Sequence, residues 1–173
     1  PNGALSTAER FRYTFKGDFT RVFRDIPLDS SAPVVVLGVT GPDGPLKRLP
    51  SGWTPYSGRP EAVDPAQDAT PQPWTSIAPE QRPFGYYRVT RRPGKDGETM
   101  LLIEAFADLS DRTASFTFKW RAEAAAQRHT DAGELRWQLV GADWPTAMKR
   151  VRAVVTLPPG ASQKDVRVWG HGP

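Results

Sequence analysis

An antiparallel β-sandwich is the fold that the sequence predicts, and three observations predict it. Several short segments alternate apolar and polar residues with a period of two, as strands with one buried face do. Gly, Pro and Asp residues separate these segments at short intervals. An amphipathic helix of ordinary length is absent from the pattern. Roughly eight or nine short strands follow, which favours an immunoglobulin-like sandwich over an α/β fold and leaves a barrel as the alternative.

The first three strands are expected within the first 40 residues. The first is marked by aromatic residues that alternate with polar ones at Phe11, Tyr13 and Phe15. A second aromatic segment covers residues 19–23. Pro27 prevents it from continuing as a central strand, because proline donates no ladder hydrogen bond. The apolar run 34–37 predicts a third strand.

The middle of the chain has a different composition. Residues 42–83 contain ten prolines, and their apolar residues are too sparse to show a period. We interpret this segment as a long Pro-rich loop inserted in the sandwich, and such loops are usually functional or disordered. We expect it to hold any ligand or partner specificity.

Regular patterning returns after this segment. Residues 86–91 and 99–106 predict a β-hairpin, because the Pro-Gly-Lys-Asp-Gly sequence between them supplies positive-φ positions. The clearest strand pattern in the chain is that of Phe116, Phe118 and Trp120. Residues 122–128 favour either a strand end or a single helical turn, and the sequence leaves both open.

The segment 134–144 predicts a structural element. Leu135, Trp137 and Leu139 share one strand face, Gly141 permits a turn, and Trp144 follows it to pack back on the strand. Trp137 is therefore expected in the core, where its replacement by Ala would cost ~3 to 5 kcal/mol. Alternating residues predict two more strands, at 151–157 and from Val166 to Val168.

Composition restricts the possible functions. At 173 residues the chain is expected to form one domain, and no apolar run approaches the ~18 residues that span a bilayer. Its net charge of +4 comes from Arg interspersed with acidic residues, which argues against a nucleic-acid module. Because the chain has no Cys and two distant His, we predict no disulfide, no metal site and no cofactor.

Both ends of the sequence resemble one bacterial family. Residues 2–15 and 23–28, with their Arg-Asp-Ile-Pro motif, are similar to the opening of predicted membrane proteins known as domain of unknown function 2207. Residues 134–137, Gly141, Trp144 and the closing segment 151–158 are similar to the end of the same domain. The resemblance implies an all-β module exported to the outer side of a bacterial membrane and followed by transmembrane helices. This chain would then be a piece of a longer protein, and the family brings no established activity.

The motif residues of this resemblance are expected to be structural. They are Arg24, Asp25, Pro27, Trp137, Gly141, Trp144 and Pro158. Arg24 and Asp25 could instead form a recognition pair for a carboxylate or phosphate, since Arg offers a planar fork of donors. An ion pair that fixes a strand end is the favoured interpretation.

Two other sets of residues are candidates for function. The aromatic set, Trp53, Tyr56, Trp74, Tyr86 and Tyr87, would form either a stacking platform for sugars or peptides, or a lid over a sheet edge, and the lid is favoured. The acidic set is Glu98, Glu104, Asp108 and Asp111. The neighbours of Glu104 predict its burial, and a buried carboxylate either finds an Arg partner or has a shifted pKa. Acids near turns are ordinary, so no catalytic residue is predicted.

These observations favour an extracytoplasmic binding or interaction module of a membrane protein. Its partner would be an unknown protein or another component of the cell envelope, and not a nucleic acid. The alternative is a cell-wall-directed glycan hydrolase or a carbohydrate-binding domain. The binding module needs only a stable β scaffold with a variable loop, whereas an enzyme needs a convergent set of acids and bases.

Overall fold

The computed structural model of the chain describes residues 3–28, 33–53, 82–94, 97–137, 139–140 and 148–170. Ten strands form within these residues: β1 (Leu5–Thr14), β2 (Arg21–Leu28), β3 (Val34–Gly41), β4 (Gly44–Pro45), β5 (Lys47–Arg48), β6 (Tyr86–Pro93), β7 (Thr99–Phe106), β8 (Thr113–Ala122), β9 (Ala126–Arg128) and β10 (Gly133–Leu135). A short 3-10 turn covers Gln163–Asp165.

Two sheets pack face to face and confirm the predicted β-sandwich. The first sheet has the order β1-β8-β3-β4 and the second has the order β2-β7-β6-β5, while β9 and β10 form a separate hairpin. All pairs are antiparallel except β5 with β6. Successive strands β1, β2 and β3 alternate between the sheets, whereas the first two strands of an immunoglobulin domain are neighbours in one sheet.

The core lies between the two sheets and is centred on β8. Phe116, Phe118 and Trp120 alternate with polar residues along this strand, and all three are fully buried. They belong to the same core cluster as Ile26 of β2 and Ile103 of β7. Each such side chain contributes ~1.5 to 3 kcal/mol through burial, so the alternation seen in the sequence orients the whole strand.

The first half of the chain follows the predicted pattern with longer strands. β1 begins at Leu5, well before the predicted aromatic residues, and pairs along its whole length with β8. Pro27 lies inside β2 and not at its end, which is possible because β2 is an edge strand. The predicted hairpin is confirmed as β6 and β7, paired from Tyr87 with Ala105 to Pro93 with Thr99.

The prediction of a continuous loop at 42–83 is wrong for its first residues. β4 pairs with the end of β3, and β5 pairs with the start of β6, so this part of the segment extends both sheets. Leu49 and Trp53 are buried there. Prolines did not prevent these pairings because the two strands are short and lie at sheet edges. Residues 54–81 of the segment lie outside the described residues.

The predicted strand face of Leu135, Trp137 and Leu139 is also wrong. β10 ends at Leu135, and Leu135 and Leu139 are 37% and 56% exposed. Trp137 alone contacts the core, where its ring lies 5.0 Å from the ring of Trp120. The hairpin of β9 and β10 satisfies the backbone here without extending either large sheet. Gly141 and Trp144 lie outside the described residues.

Two predicted strands near the end of the chain do not form. Residues 151–157 and 166–168 alternate in sequence but form no strand, and Val155, on the predicted apolar face, and Val168 are 66% and 86% exposed. Alternation produces a strand only where a neighbour offers hydrogen bonds, and no described strand pairs with them. At 122–128 the strand-end alternative is correct, because β8 ends at Ala122 and Ala124 has a φ of 52°.

Candidate functional site

The outward surface of the first sheet carries a group of basic side chains, which we call the basic face. Arg10 and Arg12 occupy outward positions of β1, and Lys119 and Arg121 occupy outward positions of β8. The two strands pair with Arg10 opposite Thr117 and Arg12 opposite Ser115, and paired residues share one side of a sheet. Arg112 immediately precedes β8, at the end of the sheet where β1 ends. The pair of β1 and β8 therefore brings four basic groups together, and Arg112 lies beside them as a fifth.

Most of this positive charge is not neutralised within the described part of the chain. Arg121 pairs with Glu123 at 2.7 Å. Arg112 lies 3.6 Å from Asp43, whose side chain is 79% exposed. Arg10, Arg12 and Lys119 are exposed and make no ion pair or hydrogen bond among the residues that the structure describes.

A shallow hollow lies at one end of the basic face. Its volume is about 430 Å³, and Arg10 and Arg112 line it together with the hydroxyl-bearing residues Thr40, Thr113, Ser115 and Thr117. Thr113 shares a hydrogen bond with Thr14 at 3.2 Å, and Arg112 donates to the carbonyl of Asp108 at 3.4 Å. Guanidinium forks and hydroxyl donors are groups that bind the oxygen atoms of phosphate, sulfate or carboxylate.

The outward surface of the second sheet has three of its arginines in ion pairs with buried or partly buried acids. Glu104 is 3% exposed and binds Arg21 at 2.5 Å and Arg88, whose Nε donates at 2.8 Å. Arg92 binds Asp25 at 2.6 Å, and this hydrogen bond raises the pKa of the Arg92 guanidinium. The predicted burial of Glu104 is confirmed. The two outward surfaces of the sandwich therefore differ in charge balance.

Arg24 lies in the interior of the sandwich. Along β2 the buried residues Val22, Arg24 and Ile26 alternate with outward-facing ones, so the Arg24 side chain points between the sheets. There it donates two hydrogen bonds to Glu9 of β1, and Trp120 Nε1 donates to the same carboxylate at 3.2 Å. Both members of the predicted recognition pair thus lie in ion pairs, which is the arrangement that a structural role requires.

The predicted stacking platform is not formed by Trp53 and Tyr87. Trp53 is 2% exposed and packs against Phe106, with 6.1 Å between the two ring centres. The guanidinium of Arg88 lies 6.0 Å from the centre of the Trp53 ring. Tyr87 is 6% exposed and belongs to the core between the sheets. Trp53 covers the outward surface of the second sheet, because the Phe106 ring on that surface needs an apolar neighbour.

The remaining aromatic candidates are placed differently. Tyr86 is partly buried beside the Trp53 cluster, and Lys47 Nζ lies 6.0 Å from its ring centre. Tyr56 and Trp74 lie outside the described residues.

The other acidic and proline candidates lie at turns or edges. Asp108 accepts hydrogen bonds from Ser110, and Asp111 accepts one from the Gly17 amide at 2.7 Å. Pro158 is exposed, and its carbonyl accepts a hydrogen bond from Ala161 at 3.2 Å in a turn. These contacts fix local backbone geometry.

The basic face was not predicted from the sequence. Its signal was present, because Arg10 and Arg12, like Lys119 and Arg121, occur two residues apart on the polar side of a predicted strand. The strand pairing was the missing fact. Without it, two separate basic pairs look like ordinary solvated surface.

The described residues contain neither a candidate metal cluster nor a helix that could span a membrane. Among the described residues, no three His, Cys, Asp or Glu side chains cluster closely enough to hold a metal ion. None of the described helical structure has the length and apolar character of a membrane span.

A family model matches the chain over its whole length. The family model described as "Predicted membrane protein (DUF2207) N-terminal domain" matches residues 1–173. The chain belongs to this family. No curated protein and no solved structure matches it. The resemblance noted from both ends of the sequence is thus confirmed, and the family is one of predicted membrane proteins whose function is unknown.

Proposed function

We propose that this domain is a binding module on the extracytoplasmic side of its membrane protein and that the basic face is its contact surface. The observation that carries the proposal is the charge imbalance between the two outward surfaces. On the second sheet Arg21, Arg88 and Arg92 pair with Glu104 and Asp25, whereas on the first sheet Arg10, Arg12 and Lys119 have no described ionic partner. Unbalanced like charges on one surface raise the local concentration of anionic partners and speed their association.

Binding is favoured over hydrolysis by the positions of the buried acids. A glycan hydrolase needs two carboxylates that flank a sugar. Glu104 is shared by two arginines, and Glu9 is held by Arg24, so both carboxylates support the sandwich. A sugar-stacking role is disfavoured because the rings of Trp53 and Tyr87 are buried.

Cysteine labelling tests both the location and the contact surface. The chain contains no Cys, so single cysteines can be placed at Ala8 on the basic face and at Ala161, which is exposed and lies outside the strands. Each variant is made in the membrane protein in its native cells and treated with a membrane-impermeant maleimide. Mass spectrometry of the peptide then measures labelling at that position.

The expected result is labelling of Ala161→Cys in cells whose inner membrane is intact. The labelling rate of Ala8→Cys, relative to that of Ala161→Cys, should be lower in native membranes than in the purified domain. Labelling of Ala161→Cys only after membrane rupture would show that the domain lies inside the cell. The same relative rate in both preparations would show that the basic face has no partner.

A further inference from the structure

We propose that the partner of the basic face is the phospholipid surface of the membrane itself, with anionic headgroups bound to Arg10, Arg12 and Lys119. Val35 and Leu37 would enter the headgroup layer at the margin of this face. The inference rests on the proposed function for the choice of contact surface. It does not depend on which side of the membrane the domain occupies.

The charge of the face is sufficient for such docking. A basic side chain close to an anionic membrane strengthens binding by roughly fivefold. Arg10, Arg12 and Lys119 together therefore contribute on the order of 100-fold, if each reaches the surface. Arg121 and Arg112 have exposed acids as partners, Glu123 and Asp43, and contribute less.

The shape of the face suits a broad surface. Its central positions carry short side chains, including Ala8 opposite Lys119 and Thr117 opposite Arg10. Long basic side chains can therefore lie over these short neighbours. The hollow beside Arg10 and Arg112 is open and has room for a single phosphate group among its hydroxyl donors.

Two exposed aliphatic residues distinguish a membrane from a soluble polyanion. Val35 is opposite Arg121 and 52% exposed, and Leu37 is 58% exposed on the same side of β3. A bulge between Val36 and Gly38 interrupts the pairing with β8 at this point. Aliphatic groups beside basic ones are the combination that binds the boundary between headgroups and acyl chains. A soluble polyanion would have no contact for them.

Membership of a membrane protein family makes even weak docking effective. A domain that is joined to its membrane meets lipid headgroups at the high effective concentration of an intramolecular partner. A modest intrinsic affinity is then enough to orient the domain against the bilayer. Docking would fix which strands and loops face away from the membrane.

Vesicle flotation with the purified chain tests this inference. The probes are phosphatidylcholine vesicles with and without about one-third phosphatidylglycerol, and soluble inorganic polyphosphate. We expect binding to the anionic vesicles, with release as NaCl rises from about 0.1 M to about 1 M. A triple variant, Arg10→Ser with Arg12→Ser and Lys119→Ser, should bind on the order of 100-fold more weakly.

A matched control removes the same charge elsewhere. Lys149, Lys164 and Arg167 are exposed residues outside the sheets, and their triple replacement by Ser should leave binding nearly unchanged. Leu37→Ser should weaken vesicle binding several-fold while leaving polyphosphate binding unaltered. Circular dichroism and thermal melts verify that each variant is folded, and the salt titration of the unmodified chain provides a readout that needs no variant.

Three results would overturn the inference. One is equal binding to neutral and anionic vesicles, and a second is equal loss of binding in the two triple variants. The third combines two observations: the chain binds polyphosphate as tightly as anionic vesicles, and Leu37→Ser leaves vesicle binding unchanged. Together they would identify a soluble polyanion as the partner. The proposed function is judged separately, because protection of Ala8→Cys in native membranes would stand even if lipid vesicles were not bound.

Discussion

The guanidinium of Arg24 donates two hydrogen bonds to the carboxylate of Glu9, from Nε at 2.8 Å and from Nη2 at 2.9 Å. Glu9 belongs to β1 of the first sheet, and Arg24 belongs to β2 of the second. The pair therefore links the two sheets through the interior, and Trp120 Nε1 donates to the same carboxylate. A bidentate pair of this kind fixes geometry as well as contributing energy.

The first prediction concerns this link. Glu9→Leu removes the carboxylate while the Arg24 charge stays between the sheets, and it also removes the acceptor of Trp120 Nε1. We expect the free energy of unfolding to fall by ~3 to 5 kcal/mol, because removing one partner of a buried ion pair is strongly destabilising. Urea unfolding measures this loss.

The control for this prediction replaces both partners. Glu9→Leu with Arg24→Met keeps the side chains large and removes both charges, so it should be clearly more stable than Glu9→Leu alone. A double variant that is as unstable as the sum of the two single variants would show that the pair has no interaction energy.

The second prediction compares two tryptophans in contact. Trp120 is fully buried, whereas Trp137 is partly buried and packs against it from outside the strand. Trp120→Ala should cost ~3 to 5 kcal/mol, and Trp137→Ala should cost about 1 to 2 kcal/mol because its site is open to water and creates a smaller cavity. Equal losses in chemical unfolding would contradict the difference in burial.

The sequence predicted those parts of the fold whose pattern depends on one strand and its own core face. β8 and the hairpin of β6 and β7 were predicted because alternation and turn residues are local signals. The burial of Glu104 was predicted from its apolar neighbours. In each case the information lies within a few residues.

Features that depend on pairing between distant segments were not predicted. Val155 lies on the predicted apolar face of a strand yet is 66% exposed. Alternation within one segment does not reveal whether another strand is present to pair with it. The basic face required the pairing of β1 with β8, which are more than 100 residues apart at Leu5 and Ala122. The contact of Trp53 with Phe106 likewise depends on the path that the chain takes over the second sheet after β5.

The third prediction concerns the turn that holds the start of β1. Gly3 has a φ of 69°, and a Cβ at this position would lie 2.4 Å from the Ala126 carbonyl oxygen. The Gly3 carbonyl also accepts a hydrogen bond from the Ala126 amide at 2.8 Å. Gly3→Ala should therefore lower the free energy of unfolding by about 2 kcal/mol or more, through both backbone strain and the clash.

Gly17 provides the matched control for Gly3. Its φ is 87°, but a Cβ there would have no atom within 4 Å. Gly17→Ala should cost only the strain of a positive φ, about 1 kcal/mol. Thermal melts of the two variants separate strain from clash, and a Gly17→Ala loss equal to that of Gly3→Ala would rule out the contact with Ala126.

The last prediction is a pH dependence at Tyr13. Burial raises the pKa of its phenol to about 12 from 10.0. The charge of Arg24 lowers this pKa and the charge of Glu9 raises it, both by less than burial does. The unfolded chain therefore releases this proton first, so the stabilisation is fully present below pH 10 and is lost as pH rises toward 12.

Tyr13→Phe keeps the ring beside Phe11 and removes the ionisable group. Between these pH values the unmodified chain should lose roughly 1 to 2 kcal/mol more than the variant, allowing for partial exposure. Urea unfolding at each pH measures the difference, in which the titration of lysines common to both proteins cancels. Parallel stability curves would show that the Tyr13 phenol is not desolvated.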